Sequence, residues 1–512
     1  MVVARTHAVA LLGLTGSIVE VEADLSAQLP GFSIIGLPDA ALGEARERVR
    51  AAAVNAGCPL PQRKLTVNLS PAALPKHGSG FDLAIAVACL AAAGEVSVES
   101  VARVVHLGEL GLDGRLRPID GILPAVLAAA RAGHRTVMVP QSNADEASLV
   151  PEIDIVGVVS LLDAAIHHGG RFEARDALAV PVVRADPAGT AEAAGDLADV
   201  AGNTDAVEAL LTAAAGGHHL SLIGPPGAGK TMLASRLPGI LPDLDADAAL
   251  EVSCLRSLSG HPVGSGLSFR PPFEAPHHTA TAAAMVGGGS RLIRPGAAAR
   301  ASHGVLFLDE APEFPSAVLD VLRQPLESGT ISIHRANAVA SFPARFQLII
   351  AANPCPCGLD GTAECTCPPN ARRRYLARIS GPLLDRIDLQ LKVPRLTAAG
   401  LRATRERPGM SSAQARAKVG EARATAAERL RGTPWRTNAQ MPGPWLRGAG
   451  GLHPGGRATT ALDRSLERGG ITMRGYDRVL KTAWTLADLE GAPRPDASHI
   501  GQALFYRQGI AR

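Results

Sequence analysis

Cysteine is scarce in this chain, with 7 in 512 residues. So small and odd a number excludes a disulfide framework as the scaffold, and at this length sizeable cores can be buried without staples. Long apolar runs are missing too. The best, Leu83 to Ala93, spans 11 residues, against about 20 for a bilayer-crossing helix. Charge of one sign is also absent. Lys plus Arg number 51 and Asp plus Glu 48, a net charge of +3. Global charge therefore demands no polyanionic partner, although a local basic groove is compatible with it. The opening MVVARTHAVALLGLTGSIVEVEADL holds one Arg and no small-residue cleavage site, and it passes into alternating Ile18, Val19, Glu20, Val21 and Glu22. That alternation marks a strand rather than a secretory leader. A cytoplasmic chain without a membrane span is expected.

What is present is globular. Hydrophobic residues at 46% and charged residues at 19% exclude wholesale disorder. The 54 Gly and 38 Pro imply many turns but follow no collagen-like period. At roughly 150 residues per domain the length suggests about three domains. Residues 1–175 alternate strand and helix patterns. Leu42, Ala45, Val49 and Ala52 fall at helical spacing ahead of Gly57, KLTVN from Lys64 is strand-like, helices are expected near Asp82–Ala93 and Pro124–Ala132, and HRTVMVP reads as a strand. Residues 176–198 are rich in Pro, Gly and Asp with little periodicity and read as a linker. Residues 199–395 alternate again, and residues 396–512 are mostly helical in pattern. The expected fold class is α/β multidomain.

The most informative stretch is HHLSLIGPPGAGKTMLASRL. Gly224, Pro225, Pro226, Gly227, Ala228, Gly229, Lys230 and Thr231 fit G-x-x-x-x-G-K-[ST], after a buried-strand pattern and before a helical one. Glycines let successive N–H groups face phosphate oxygens, Lys230 reaches the β- and γ-phosphates, and Thr231 offers a hydroxyl to Mg²⁺. VLFLDE, Val305 to Glu310, supplies a second strand ending in two carboxylates. There Asp309 is placed to hold Mg²⁺ and Glu310 to orient or deprotonate the attacking water. FQLIIAAN ends a third apolar strand in Asn353, a candidate for positioning that water. Arg386 and Arg474 are candidate charge stabilisers, a guanidinium being planar, permanently charged and bidentate. Arg474 opens an amphipathic helix with Tyr476, Val479, Leu480, Ala483, Trp484 and Ala487 on one face.

Cys355, Cys357, Cys365 and Cys367 give C-x-C-x7-C-x-C within 13 residues. Four thiolates this close suit tetrahedral Zn²⁺, and an iron–sulfur cluster or redox disulfides are the alternatives. Arg372, Arg373 and Arg374 follow as a basic cluster. Arg402, Arg405, Arg407, Arg416, Lys418 and Arg423 form a looser one, interleaved with Glu406 and Glu421 and equally read as a solvated helical face.

Together GPPGAGKT, APHHTATAAAMVGGG, HGVLFLDEAPEF, IIAANPCPCG, RISGPLLDRIDL and MRGYDRVLK resemble the AAA+ ATPases, and within them the magnesium-chelatase-like branch of the ComM/YifB family. The resemblance runs through nearly the whole chain. It implies ATP and Mg²⁺ at Lys230, Thr231, Asp309 and Glu310, a sensor at Asn353, an arginine finger acting on the neighbouring subunit at Arg386, and a second sensor at Arg474 on a helical lid. It further implies a homo-hexameric ring. Thr330 to Ala344 matches the branch's hairpin, so His334 and Arg335 near its tip are the candidates for DNA contact. Asn203 stands where many relatives carry Gln.

The N-terminal residues resemble a Lon-protease-type domain with a ribosomal-protein-S5-like fold. In that alignment the nucleophile position falls near Gly78, beside Ser79, and the lysine position falls on Leu123. Leucine cannot deprotonate a serine, so a proteolytically inactive domain is expected despite Lys76 and His77 nearby. The resemblance implies an ATP-driven ring that remodels DNA by branch migration or unwinding. A MoxR-like protein-remodelling ATPase and a chelatase ATPase subunit are the alternatives.

Overall fold

The computed structural model describes residues 3–36, 40–74, 76, 78–181, 195–261, 263–264, 266–289, 293–335, 338–359, 364–397, 402 and 409–508. Two sheets and a group of C-terminal helices carry the architecture.

The first sheet is mixed. Strands β1 (Ala4–Leu12), β2 (Thr15–Ser26), β3 (Gly31–Ile35), β4 (Lys64–Ser70), β5 (Val105–His106), β6 (Thr136–Pro140) and β7 (Asp154–Val158) lie in the order β3-β4-β2-β1-β5-β6-β7. The long β1–β2 hairpin is antiparallel, with Ala4 opposite Ala23 and Leu12 opposite Thr15. β2 alternates, burying Val19, Val21 and Ala23 and leaving the residues between them partly exposed, so one face is covered more fully than the other. Helices α1 (Ala40–Asn55) and α2 (Asp82–Ala92) supply the cover. α2 buries every residue from Asp82 to Ala91, which explains why its sequence is apolar all round. Helix α3 (Ile122–Arg131) packs on the sheet's other side.

The second sheet is all parallel. Helix α4 (Thr204–Gly216) leads into β8 (Leu220–Ile223), and α5 (Lys230–Ile240) and α6 (Ala246–Leu258) follow. Strands β9 (Phe273–Glu274), β10 (Val305–Leu308), β13 (Gln347–Ala352) and β14 (Leu389–Lys392) complete the order β9-β10-β13-β8-β14. The register sets Leu220 beside both Ile349 and Leu389, and Val305 beside Gln347. All residues of β8, β10 and β13 are buried, the signature of strands covered on both faces. Between β10 and β13 a hairpin, β11 (Thr330–Arg335) and β12 (Ala338–Pro343), forms its own antiparallel pair.

Beyond helix α7 (Pro369–Leu376) and β14, helices α8 (Ser412–Arg429), α9 (Gly456–Glu467), α10 (Met473–Glu490) and α11 (Ala497–Gln508) share one apolar core with α4 and the parallel sheet. α10 starts at Thr472, whose hydroxyl accepts from the Gly475 N–H, and it buries Tyr476, Val479, Leu480, Ala483, Trp484 and Ala487 as its spacing predicts. Polar links fix these helices to the sheet. Asp388 accepts from the His219 N–H at 2.9 Å and pairs with Arg478 of α10, and His218 meets Thr485 at 2.7 Å. Burial of Asp388 is outweighed by the charges of Arg478 and the neighbouring histidines, and its carboxyl sits well below the usual range.

The two sheets also touch. The Gly121 N–H donates to the Ser257 carbonyl at 3.1 Å, the Leu123 N–H to its hydroxyl at 3.3 Å, and Arg294 donates to Asp120 at 2.7 Å. Gly13 bridges to Ser341 of the β11–β12 hairpin. The N-terminal sheet thus rests on α6 and on the hairpin. No helix among the described residues is long and apolar enough to cross a membrane.

Candidate nucleotide site

The parallel sheet delivers three chain segments to one edge. The loop Gly224–Gly229 leaves the end of β8 and caps α5; Gly227 and Gly229 have φ of +74° and +85°, conformations that cost a side-chain-bearing residue strain. Asp309 and Glu310 follow β10, and Asn353 follows β13. These are the carboxyl ends of parallel strands, where open α/β sheets bind ligands.

Lys230, only 8% exposed, donates to the Gly224 carbonyl at 2.6 Å, the Pro225 carbonyl at 3.0 Å and Asn353 Oδ1 at 3.1 Å. Burial lowers its pKa, and Asp309 and Glu310 oppose that shift. Thr231 Oγ1 donates to Asp309 Oδ2 at 2.7 Å. A hydroxyl and a carboxylate oxygen held this close fit a hard cation, and Mg²⁺ bound there would neutralise phosphate charge. Glu310 has φ +50° and ψ +43°, a left-handed backbone that costs a non-glycine residue of order 1–3 kcal/mol. Its N–H donates to Asp309 Oδ1 at 2.9 Å, so one carboxylate orients the turn that carries the next.

Two contacts were not singled out as site residues by the sequence reading. His278 Nδ1 lies 3.4 Å from Glu310 Oε2, brought there by the loop after β9. The paired histidines of APHHT were the available signal, but their meeting with Glu310 depends on β9 lying beside β10. Asn203, buried at the start of α4, donates to the Ala228 carbonyl at 3.2 Å, so this side chain braces the phosphate loop.

Other candidates have other partners. The Arg386 guanidinium pairs with Glu327 and donates to the Pro382 carbonyl at 2.6 Å. Arg474 is exposed on the first turn of α10. Neither bonds to the phosphate loop among the described residues. His334 is exposed on β11 opposite Val339; the side chain of Arg335 lies outside the described residues, as do Arg405 and Arg407. In the basic cluster Arg372 donates to the Cys367 carbonyl at 3.0 Å, while Arg373 and Arg374 are exposed. The four Sγ atoms of Cys355, Cys357, Cys365 and Cys367 lie within 4.8 Å of one another.

Three family models match in succession. "Subunit ChlI of Mg-chelatase" covers residues 21–143, "Magnesium chelatase, subunit ChlI" residues 196–401, and its C-terminal model residues 409–507. The chain is 41% identical over 509 residues to Competence protein ComM of Haemophilus influenzae, covering 99% of this chain and 98% of that one. The chain belongs to the magnesium-chelatase-like ComM/YifB family. Its YifB relative in Salmonella typhimurium is 40% identical, over 99% of this chain and 97% of the relative. An uncharacterized protein of Mycobacterium tuberculosis is 48% identical over the full length of both. Membership makes this an AAA+-like ATPase of ComM/YifB type, a family that implies ATP and Mg²⁺, and the parallel sheet is consistent with it. The N-terminal region is similar to Lon protease of Mycolicibacterium smegmatis, 31% identical over 167 residues, 30% of this chain and 21% of that one.

In this region the Ser79 hydroxyl donates to Glu109. Lys76 is fully buried, and its amine reaches the Gly36 carbonyl at 2.8 Å, the Leu74 carbonyl at 3.1 Å and the Pro71 carbonyl. Leu123 is fully buried in α3. No lysine pairs with Ser79 among the described residues, and His77 lies outside them.

Proposed function

We propose that this ATPase is a cytoplasmic homo-hexameric ring motor that remodels single-stranded or branched DNA, driving branch migration or unwinding. The observation that carries the reading is the β11–β12 hairpin. In chain order it lies between the strands that end in Glu310 and Asn353, and it presents His334 to solvent, with Arg335 next in sequence. A hairpin joined along the chain to both strands of the hydrolysis site is placed to couple to it, and histidine and arginine near its tip suit a phosphate backbone. The name of the Haemophilus relative, a competence protein, supports the same direction. Exposed Arg373 and Arg374 add local positive charge on a chain of nearly neutral balance.

Each residue then has a task. Lys230, released from its carbonyl partners, takes the β- and γ-phosphate oxygens. Thr231 and Asp309 hold Mg²⁺. Glu310 accepts the proton of the attacking water at a carboxylate oxygen, His278 sets its orientation, and Asn353 positions the water. Arg386, which pairs with Glu327 rather than with its own phosphate loop, serves the neighbouring subunit. Arg474 senses nucleotide from the helical lid. Residues 1–175 form an inactive Lon-like domain, 176–198 a linker, 199–395 the ATPase core and 396–512 the lid.

The test is the steady-state ATPase rate with and without single-stranded and four-way-junction DNA at two salt concentrations, beside Lys230→Ala. Salt-sensitive stimulation that Lys230→Ala abolishes is expected. An intact ATPase indifferent to DNA would overturn the DNA reading and direct the search to protein substrates.

A further inference from the structure

We propose that Cys355, Cys357, Cys365 and Cys367 hold one zinc ion, and that this ion anchors the wall on which the phosphate loop rests. The geometry selects a single ion. The Sγ atoms of Cys355 and Cys357 lie 3.3 Å apart, those of Cys357 and Cys365 3.6 Å, and those of Cys355 and Cys365 3.9 Å. All four fall within 4.8 Å of one another. Four thiolates around one Zn²⁺ at a Zn–S distance of about 2.3 Å have S···S edges of about 3.8 Å. A disulfide requires about 2.05 Å. An iron–sulfur cluster spreads its thiolates over separate irons, beyond the edge of one tetrahedron. The donor set is soft sulfur, which favours zinc over Mg²⁺ or Ca²⁺.

The link to the nucleotide site runs through two neighbours of the first cysteine pair. Asn353, which accepts from Lys230, stands two residues before the fully buried Cys355. On the other side, the Gly358 N–H closes a turn on the Cys355 carbonyl at 3.0 Å. Gly358 has φ +75°, and a Cβ there would come within 2.5 Å of Pro226 Cδ and 2.6 Å of its Cγ. The backbone of the cysteine loop is thus in direct contact with the phosphate loop, and only glycine permits the approach. The second pair is tethered separately, by Arg372 donating to the Cys367 carbonyl from α7. An ion joining the two pairs would fix both Asn353 and the surface under Pro226, and so would act on the nucleotide site by positioning.

The experiment uses the full chain purified without chelator. Elemental analysis is expected to find one zinc per chain, with no iron or acid-labile sulfide. Chelator-stripped protein given Co²⁺ alone is expected to develop the absorption of a tetrahedral cobalt–thiolate site. Binding of a fluorescent ATP analogue is expected to weaken about tenfold on stripping and to recover with one equivalent of Zn²⁺, since displacements near 1 Å at such sites cost up to about 10²-fold. Gly358→Ala is expected to keep its zinc and still bind the analogue more weakly; this variant carries the test if Cys365→Ser fails to fold. Absence of stoichiometric zinc, or iron with sulfide in its place, would overturn the site. Zinc whose removal leaves nucleotide affinity unchanged, together with an unaffected Gly358→Ala, would overturn the coupling.

Discussion

The two sheets of this molecule use similar polar residues to opposite ends. In the N-terminal half, charged and hydroxyl groups close on one another. Asp82, fully buried, takes Arg48 at 2.8 and 3.0 Å and the Leu110 N–H at 3.3 Å. Ser79 is taken by Glu109, and Lys76 by three carbonyls. In the parallel sheet, Lys230, Thr231, Asp309, Glu310 and Asn353 converge on one strand edge, and Thr231 and Glu310 stay exposed there. A serine, a lysine and a carboxylate make a site only when their free valences point at a shared space. Similarity to a protease in the first half and to an ATPase in the second therefore has different chemical weight.

The comparison breaks first at the phosphate loop. Lys230→Ala is expected to lower ATP hydrolysis more than about 10²-fold while leaving the melting of the N-terminal half unchanged; a retained rate would show that the converging groups are not the site. Next in size, Asp82→Ala takes from half-buried Arg48 its two-point carboxylate partner and from the Leu110 N–H its acceptor, leaving Arg48 with Glu44 at 3.7 Å, and is expected to cost about 1–3 kcal/mol in denaturant unfolding, with the specific ATPase of the folded fraction intact. A smaller effect is expected from His278→Ala, which should slow hydrolysis about tenfold with the affinity for ATP unaltered, as a residue acting through Glu310 requires. Unchanged turnover would remove His278 from the mechanism.

Acid sharpens the contrast further. His106 Nε2 and His168 Nε2 lie 2.9 Å apart, and their Nδ1 atoms meet Thr6 Oγ1 at 2.7 Å and Ser100 Oγ at 2.8 Å. Burial pushes His168 down to about 4 and His106 well below its ordinary value. The unfolded chain takes up protons near pH 6.5 while the folded chain refuses them until about pH 4, so stability falls as pH drops through that window. At pH 5.5 the loss is about 1 kcal/mol per ring. Melting curves between pH 7.5 and 5 should show it, and His106→Asn with His168→Asn should flatten it. The smallest effect belongs to Ser79→Ala, expected within about 0.5 kcal/mol of the parent and without change in ATPase or peptide hydrolysis. A peptidase activity lost in that variant would reverse the reading of the first sheet.

Much of this was legible in the chain. The helix opening at Arg474, the strand Gln347–Ala352 and the G-x-x-x-x-G-K-[ST] loop depend on residues adjacent in sequence, so periodicity and spacing expose them. Two-residue strands such as Leu116–Arg117 were less legible, being too short to show a period. Contacts across elements were invisible. Nothing in the local pattern around Asn203 shows that it braces Ala228, nor that Gly358 abuts Pro226, because each pairing depends on how the strands are ordered in the sheet.

By itself the sequence determined the alternation of elements, the phosphate loop, the carboxylate pair and the four clustered cysteines. Only the tertiary structure decided which polar groups face open space and which satisfy one another. The physical reason is that donor and acceptor types are written residue by residue, whereas their partners are chosen by packing. Burial then forces every polar group left inside to find one.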